Sequence, residues 1–251
     1  MADIDASTYL EHIKRDGLRI PDVAEGNFEK AVPTCPGNTV ESLLMHTGTL
    51  YVFWSEAIRQ DRRPQIDWSV LNSDLLAANR QGVASFLECL QSRDPDEVVW
   101  TWAQLVPGGP KNTLRFWYRR AAQELSVHRW DFENAVGAPS GIDPELAMDG
   151  VDELLVAFGP ATGMEAYRGA SERFAGDGET FKLEPTDGPD PITFTARPDR
   201  FELNSSAEPN VTARGAASDL LLFVWGRVPP SALEVSGDAS LLQRWQERVK
   251  I

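Results

Sequence analysis

The sequence contains few of the residues that form covalent cross-links or carry metal and proton-transfer chemistry. Its 251 residues include only two cysteines and three histidines. Two cysteines form at most one disulfide, whereas small secreted scaffolds need several, so we expect reduced thiols. Three histidines leave few candidates for metal ligation or for proton transfer near neutral pH.

The sequence also lacks a long apolar run and an excess of positive charge. No apolar stretch approaches the roughly 20 residues that a membrane-spanning helix requires. The acidic N-terminus has no basic segment followed by an apolar one and so predicts no secretory signal. The net charge is −14, from 24 basic and 38 acidic residues, and would repel a phosphate backbone. We therefore expect a cytoplasmic protein that binds neither membranes nor nucleic acids.

Hydropathy patterning divides the chain into two predicted domains. Residues 1–158 carry apolar positions at spacings of three and four, which predict helices. The first helix, starting near residue 5, is expected to kink or break at Gly17 and Pro21. The other helices are predicted over about 39–63, 69–91, 113–135 and 144–158, and the first four should form an amphipathic bundle.

Residues 159–251 change to short alternating segments separated by Asp, Gly and Pro. These segments predict strands near 180–183, 192–195, 200–203 and 210–213, followed by helices over 217–225 and 239–249. The fold class predicted for the whole chain is therefore α+β, with a helical domain followed by a smaller α+β domain.

One set of residues in the predicted bundle could hold a metal ion. Glu124 and His128 stand four apart, so their side chains project from one face of the fourth helix. His46 is predicted on the inner face of the second helix, among leucines. Together they predict a set of two histidines and one carboxylate with open coordination positions.

Simpler interpretations of these residues remain open. Glu124 and His128 could form a helical ion pair worth about 0.2–0.5 kcal/mol, and His46 could be a core histidine with one hydrogen bond. His12 is expected at the surface. Asp131, seven residues after Glu124, lies on the same helical face. It could hydrogen-bond a metal ligand or the bound thiol without binding the metal itself, or it could be an ordinary polar residue at the bundle rim.

Several segments carry a recognisable pattern. They are Val-Pro-Thr-Cys-Pro-Gly-Asn-Thr-Val at 32–40, Leu-Leu-Met-His-Thr-Gly at 43–48, Glu-Leu-Ser-Val-His-Arg-Trp-Asp at 124–131, Asp-Gly-Val-Asp-Glu at 149–153, and the C-terminal segments 215–220 and 222–227. Together they resemble the mycothiol-dependent maleylpyruvate isomerase family over most of the chain. One departure is Asn38, where the family usually has Trp.

The resemblance implies a fold, a metal and a catalytic arginine. It implies a DinB-like four-helix bundle that holds a divalent metal, usually zinc, through His46, Glu124 and His128, followed by a small sterol-carrier-like C-terminal domain. It assigns no catalytic role to Cys35, which we interpret as structural. Arg227 matches a family position implicated in catalysis, although a cation that ends a helix, worth about 0.3–1 kcal/mol, also explains it.

These observations predict a metal-dependent enzyme that uses a low-molecular-weight thiol, mycothiol by resemblance. The thiol would serve isomerisation of a small electrophilic substrate or S-transfer to it. A free thiol has a pKa of about 8.5, and a metal ion can bind it as thiolate near neutral pH. Two alternatives remain: a thiol-independent metal-dependent hydrolase, and a non-catalytic small-molecule-binding protein.

Overall fold

A computed structural model describes residues 4–66, 74–106, 108–160, 169–203 and 206–249. The chain forms two compact units. The helical unit comprises residues 5–102 and 111–140, and the sheet unit comprises residues 141–251 with 1–4 and 103–110. Within the described ranges, no helix combines the length and the apolarity needed to cross a bilayer.

In the described part of the helical unit, four α-helices confirm the predicted bundle. Local sequence fixes two of its helix starts: the Asp5 side chain accepts a hydrogen bond from the Thr8 amide, and Thr39 and Ser42 form a reciprocal capping box. The predicted start of the third helix, residue 69, lies outside the described residues. The helices are α1 (Ala6–Ala24), α2 (Val40–Gln60), α3 (Leu75–Gln91) and α4 (Leu114–Ala135).

The helix α1 is continuous through both positions where a break was expected. A Cβ atom on Gly17 would lie 2.8 Å from Val83 Cγ2 and 2.9 Å from the Tyr51 hydroxyl. Gly17 is therefore a point of close approach between α1 and the side chains of α2 and α3. Pro21 lies inside the helix, one turn from its end.

The sheet unit combines a mixed five-stranded sheet with short helices. The described strands lie in the order β3-β2-β1-β4-β5; the β1–β4 pair is parallel and the three other pairs are antiparallel. The elements are α5 (Pro144–Glu153), which continues in a π-helical turn (Leu154–Phe158), α6 (Ala170–Phe174), β1 (Thr180–Pro185), β2 (Ile192–Ala196), β3 (Phe201–Leu203), β4 (Val211–Gly215), α7 (Ala217–Val224), β5 (Glu234–Gly237) and α8 (Ser240–Arg248).

Aromatic side chains fill the core of the sheet unit beside the helix α8. Phe181 stacks on Phe194 with ring centroids 4.9 Å apart, and the Trp245 ring contacts both. The four predicted strands and both predicted helices of this region are present, which confirms the α+β class. The strand β5 was not predicted, because all four of its residues are exposed and show no apolar alternation.

The two compact units divide between residues 140 and 141. The helix α5 packs against α7 and therefore groups with the sheet. The predicted domain boundary after residue 158 does not coincide with this division and stays a prediction.

Glu133, near the end of α4, is a buried carboxylate at the centre of an ion-pair network. Its carboxylate accepts hydrogen bonds from Arg19 and Arg129, each at 2.9 Å, and from the Ser140 hydroxyl at 2.6 Å. Burial opposes ionisation, but these donors outweigh it and lower the pKa of Glu133 to about 2. The network links α1, through Arg19, and the segment after α4, through Ser140, to the helix α4.

We predict that Glu133 stabilises the fold near neutral pH and that acid removes this contribution. Because the pKa in the folded chain lies below the ordinary value of 4.5, the unfolded chain binds the proton more tightly. This stabilisation is complete above the unfolded pKa and is lost as pH falls toward the folded pKa. Urea unfolding between pH 7 and pH 3 should show a steeper loss in the wild type than in Glu133→Gln.

The pair of Arg93 and Glu97, which stand four residues apart in the segment after α3, provides the control. Glu97→Gln should leave the pH dependence close to that of the wild type, since solvent screens exposed pairs. Equal pH slopes for wild type and Glu133→Gln would contradict the role of Glu133.

Candidate metal centre

Side chains from α2 and α4 converge on one carboxylate oxygen. The Nε2 atom of His46 lies 3.4 Å from Oε1 of Glu124, and Nε2 of His128 lies 3.3 Å from the same oxygen. The two imidazole rings meet edge to face, with centroids 5.2 Å apart. The structure therefore brings together all three residues that the sequence predicted as metal ligands.

The site lies at the solvent-accessible edge of the helical unit. The side chain of His46 is 45% exposed, that of Glu124 is 23% exposed and that of His128 is 10% exposed. The predicted inward position of His46 is therefore wrong. The buried face of α2 includes Leu43, Leu44 and Thr47, and His46 lies outside it.

The predicted surface position of His12 is also wrong, because this residue is buried. It lies on the buried face of α1 together with Tyr9, Ile13 and Asp16. Their spacing of three and four was a visible signal for burial.

The donor atoms of the three residues fit a divalent ion. Two ligand atoms that each lie about 2.1 Å from a tetrahedral ion are about 3.4 Å apart. The separations of 3.4 and 3.3 Å from the shared oxygen to the two Nε2 atoms match this value. Two histidines and one glutamate also form the ligand set of catalytic zinc sites, in which another position stays open.

The charges around the site favour a cation. Burial opposes ionisation of Glu124, but the Arg120 charge and the hydrogen bonds from both histidines hold its pKa well below the usual range. Burial would lower the pKa of His128, but hydrogen bonds to Asp131 and Glu124 outweigh this effect and raise that pKa to about 9. The carboxylates thus stabilise positive charge at this point of the bundle.

Asp131 holds the ring of His128 from the side opposite Glu124. Its fully buried carboxylate lies 3.0 Å from Nδ1 of His128, which leaves Nε2 facing the site. It also accepts hydrogen bonds from the Thr34 hydroxyl at 2.5 Å and the Cys35 thiol at 3.6 Å. A carboxylate behind a histidine ligand fixes the orientation of the ring. A direct contact between Asp131 and a ligand or thiol stays a prediction.

Cys35, His128 and Asp131 form a second set of side chains that could ligate a metal ion. Ligand atoms of Cys35, His128 and Asp131 lie within 4.8 Å of one another. This group uses the Nδ1 side of His128, where Asp131 already binds the imidazole and the segment 34–35. The contact with Asp131 agrees with the structural interpretation of Cys35.

Asn38 contributes to the start of α2. Its side-chain oxygen accepts a hydrogen bond from the Ser42 hydroxyl at 3.0 Å, and the residue is exposed. The polar side chain at this position therefore supports the capping box rather than packing into the core.

Arg227 ends the helix α7 in the sheet unit. Its amide donates to the Leu222 carbonyl at 2.7 Å, and the Gly226 amide donates to the Phe223 carbonyl at 2.9 Å. With Gly226 at φ +71°, these bonds form a Schellman ending. The Arg227 guanidinium donates to the Trp225 carbonyl at 2.8 Å. The geometry accounts for a helix-ending role, and the catalytic role stays a prediction.

Two further residues near the candidate ligands, Arg120 and Thr34, were not predicted from the sequence. Arg120 donates to Oε2 of Glu124 at 2.8 Å, and its position four residues before Glu124 was a usable signal. Thr34 lies 97 residues from Asp131, and nothing in the local sequence pairs them.

Comparisons with known proteins agree with this architecture. The model of the mycothiol maleylpyruvate isomerase N-terminal domain matches residues 19–133, and that of the MDMPI C-terminal domain matches residues 145–244. These two models describe the two domains of an isomerase. The chain belongs to the mycothiol-dependent maleylpyruvate isomerase family.

Solved structures share the fold. A crystal structure of the mycothiol-dependent maleylpyruvate isomerase matches with a TM-score of 0.65 and 14% identity, over 94% of this chain and 95% of that chain. A histidine-to-alanine mutant of such an isomerase matches with a TM-score of 0.64 and 12% identity, over the same shares. A search of curated proteins finds no match.

Proposed function

We propose that the chain binds one zinc ion through His46, Glu124 and His128 and uses mycothiol to isomerise a small electrophilic alkene. The observation that carries the proposal is the convergence of the three donor atoms at an open edge of the bundle, in a chain of this family. The half-exposed ring of His46 leaves the approach from solvent open to a thiol.

The proposed chemistry begins with a thiolate. A bound divalent ion would stabilise the thiolate of a thiol whose free pKa is about 8.5 and so supply a nucleophile near neutral pH. The thiolate adds to an alkene conjugated to a carbonyl, and a new carbon–sulfur single bond forms. Rotation about the former double bond and elimination of the thiolate give the other isomer and regenerate the cofactor.

The residues of the chain position the groups that take part. His46, Glu124 and His128 hold the ion, and Asp131 keeps Nε2 of His128 directed at it. Negative charge that develops on the substrate's oxygen during thiolate addition needs a cationic partner. We assign this role to Arg227, whose planar guanidinium can bind a carboxylate or an enolate through two hydrogen bonds.

We predict that zinc binds at one ion per chain and that two substitutions weaken binding to different degrees. His128→Ala removes a ligand and should abolish stoichiometric zinc. Asp131→Asn keeps all three ligands but loosens the His128 ring, so the zinc dissociation constant should rise by about 10- to 100-fold. Competition with a chromophoric chelator measures both variants.

Thr34→Val provides the matched control, since it removes a different hydrogen bond to Asp131. This variant should bind zinc as the wild type does. Full zinc affinity in His128→Ala would show that the ligand assignment is wrong.

We predict that mycothiol binds directly at the metal. Cobalt-substituted protein should develop an intense sulfur-to-cobalt charge-transfer band on addition of mycothiol, because thiolate ligation produces such a band. An unchanged spectrum at saturating thiol would remove the first step of the proposed reaction.

Product analysis by mass spectrometry separates isomerisation from the other activities. Isomerisation requires mycothiol in catalytic amounts and returns it unmodified. A stable thioether product would identify an S-transferase, and turnover without any thiol would identify a hydrolase or another thiol-independent enzyme. Either result would contradict the proposed isomerase.

We predict that Arg227→Lys lowers kcat/KM by at least about tenfold, or roughly 1.4 kcal/mol, because a lysine lacks the planar pair of donors. The melting temperature and zinc content should stay near the wild-type values. Arg214→Lys, at an exposed arginine of β4, is the control and should leave kcat/KM unchanged. Loss of stability in Arg227→Lys with unchanged kcat/KM per folded molecule would favour the helix-ending role alone.

A further inference from the structure

The two carboxylate oxygens of Glu124 have different partners. Oε1 lies 3.4 Å from Nε2 of His46 and 3.3 Å from Nε2 of His128. Oε2 accepts a hydrogen bond from Nη2 of Arg120 at 2.8 Å. One oxygen therefore faces the candidate metal position, while the other is held by a guanidinium.

We propose that Arg120 is a positioning residue that restricts Glu124 to one-oxygen ligation and thereby keeps a coordination position free for the thiol. This inference rests on the proposed function, because it assumes a metal ion at the three ligands. Arg120 itself would contact neither the metal ion nor the substrate.

The geometry of α4 makes this restraint strong. Arg120 stands four residues before Glu124, so the two side chains meet on one face of the helix. The Arg120 side chain is only 5% exposed, and a charge-assisted hydrogen bond is strengthened when solvent is excluded.

The contact with Arg120 limits the number of donor atoms that Glu124 can supply to the metal ion. A carboxylate can bind a metal ion through one oxygen or through both. If Oε2 were released, Glu124 could supply a fourth protein donor atom to the ion. The guanidinium prevents this, so that the three ligand residues supply three donor atoms and a position remains for the thiol.

Cobalt-substituted Arg120→Gln tests the inference through two readouts that do not involve turnover. Release of Oε2 should raise the coordination number, which weakens the visible d–d absorption of cobalt relative to the wild type. Because the added donor competes with the thiol, the apparent dissociation constant for mycothiol, titrated through the charge-transfer band, should rise at least tenfold.

The chain offers a matched control on the same helix. Arg129 is also buried and also pairs with a glutamate four residues later, Glu133, at 2.9 Å. Arg129→Gln should lose stability but keep the wild-type cobalt spectrum and mycothiol affinity. Should Arg120→Gln fail to fold, Arg120→Lys keeps the charge with a less specific hydrogen-bond geometry and should shift both readouts in the same direction by a smaller amount.

The outcomes distinguish this inference from the proposed function. Wild-type protein that binds no cobalt, or binds it without a mycothiol band, would contradict the proposed function. A wild-type band together with unchanged absorption and thiol affinity in a folded Arg120 variant would overturn only the role of Arg120. A change of the same size in Arg129→Gln would also overturn it, since the effect would then follow from any loss of a buried arginine.

Discussion

The candidate site depends on the carboxylate of Glu124, which contacts one histidine from α2 and one from α4. Its oxygen Oε1 lies within 3.4 Å of both Nε2 atoms, one from each helix. The relative position of the two helices therefore determines whether the ligand set exists. A small shift of one helix would separate the donor atoms beyond the range that a single ion can bridge, so the bundle's packing is a condition for the site.

The helix α4 carries an unusual number of buried charged side chains. Buried charges are unfavourable unless they are paired, and the pairing on α4 follows the helical repeat. Arg120 pairs with Glu124, His128 with Asp131, and Arg129 with Glu133. The first two pairs surround the candidate metal position and the third links α4 to neighbouring segments, so one helix carries both the candidate site and contacts that stabilise the fold.

Local sequence patterns predicted the parts of the structure that depend on a single element. The bundle helices, the four alternating strands and the position of Glu124 and His128 on one helical face all follow from spacing along the chain. Burial depends on other elements, and here the predictions for His46 and His12 were wrong. The contact of Thr34 with Asp131 joins residues 97 positions apart, and no local pattern encodes it. The exposed strand β5 lacks the alternation by which strands are found.

X-ray absorption at the zinc edge, recorded with and without mycothiol, reports directly whether the thiol binds the metal. In the absence of thiol, the zinc ion should have only nitrogen and oxygen neighbours, contributed by the two histidines, Glu124 and solvent. Saturating mycothiol should add one sulfur neighbour at about 2.3 Å. A zinc environment that remains free of sulfur at saturating mycothiol would show that the thiol does not bind at the metal.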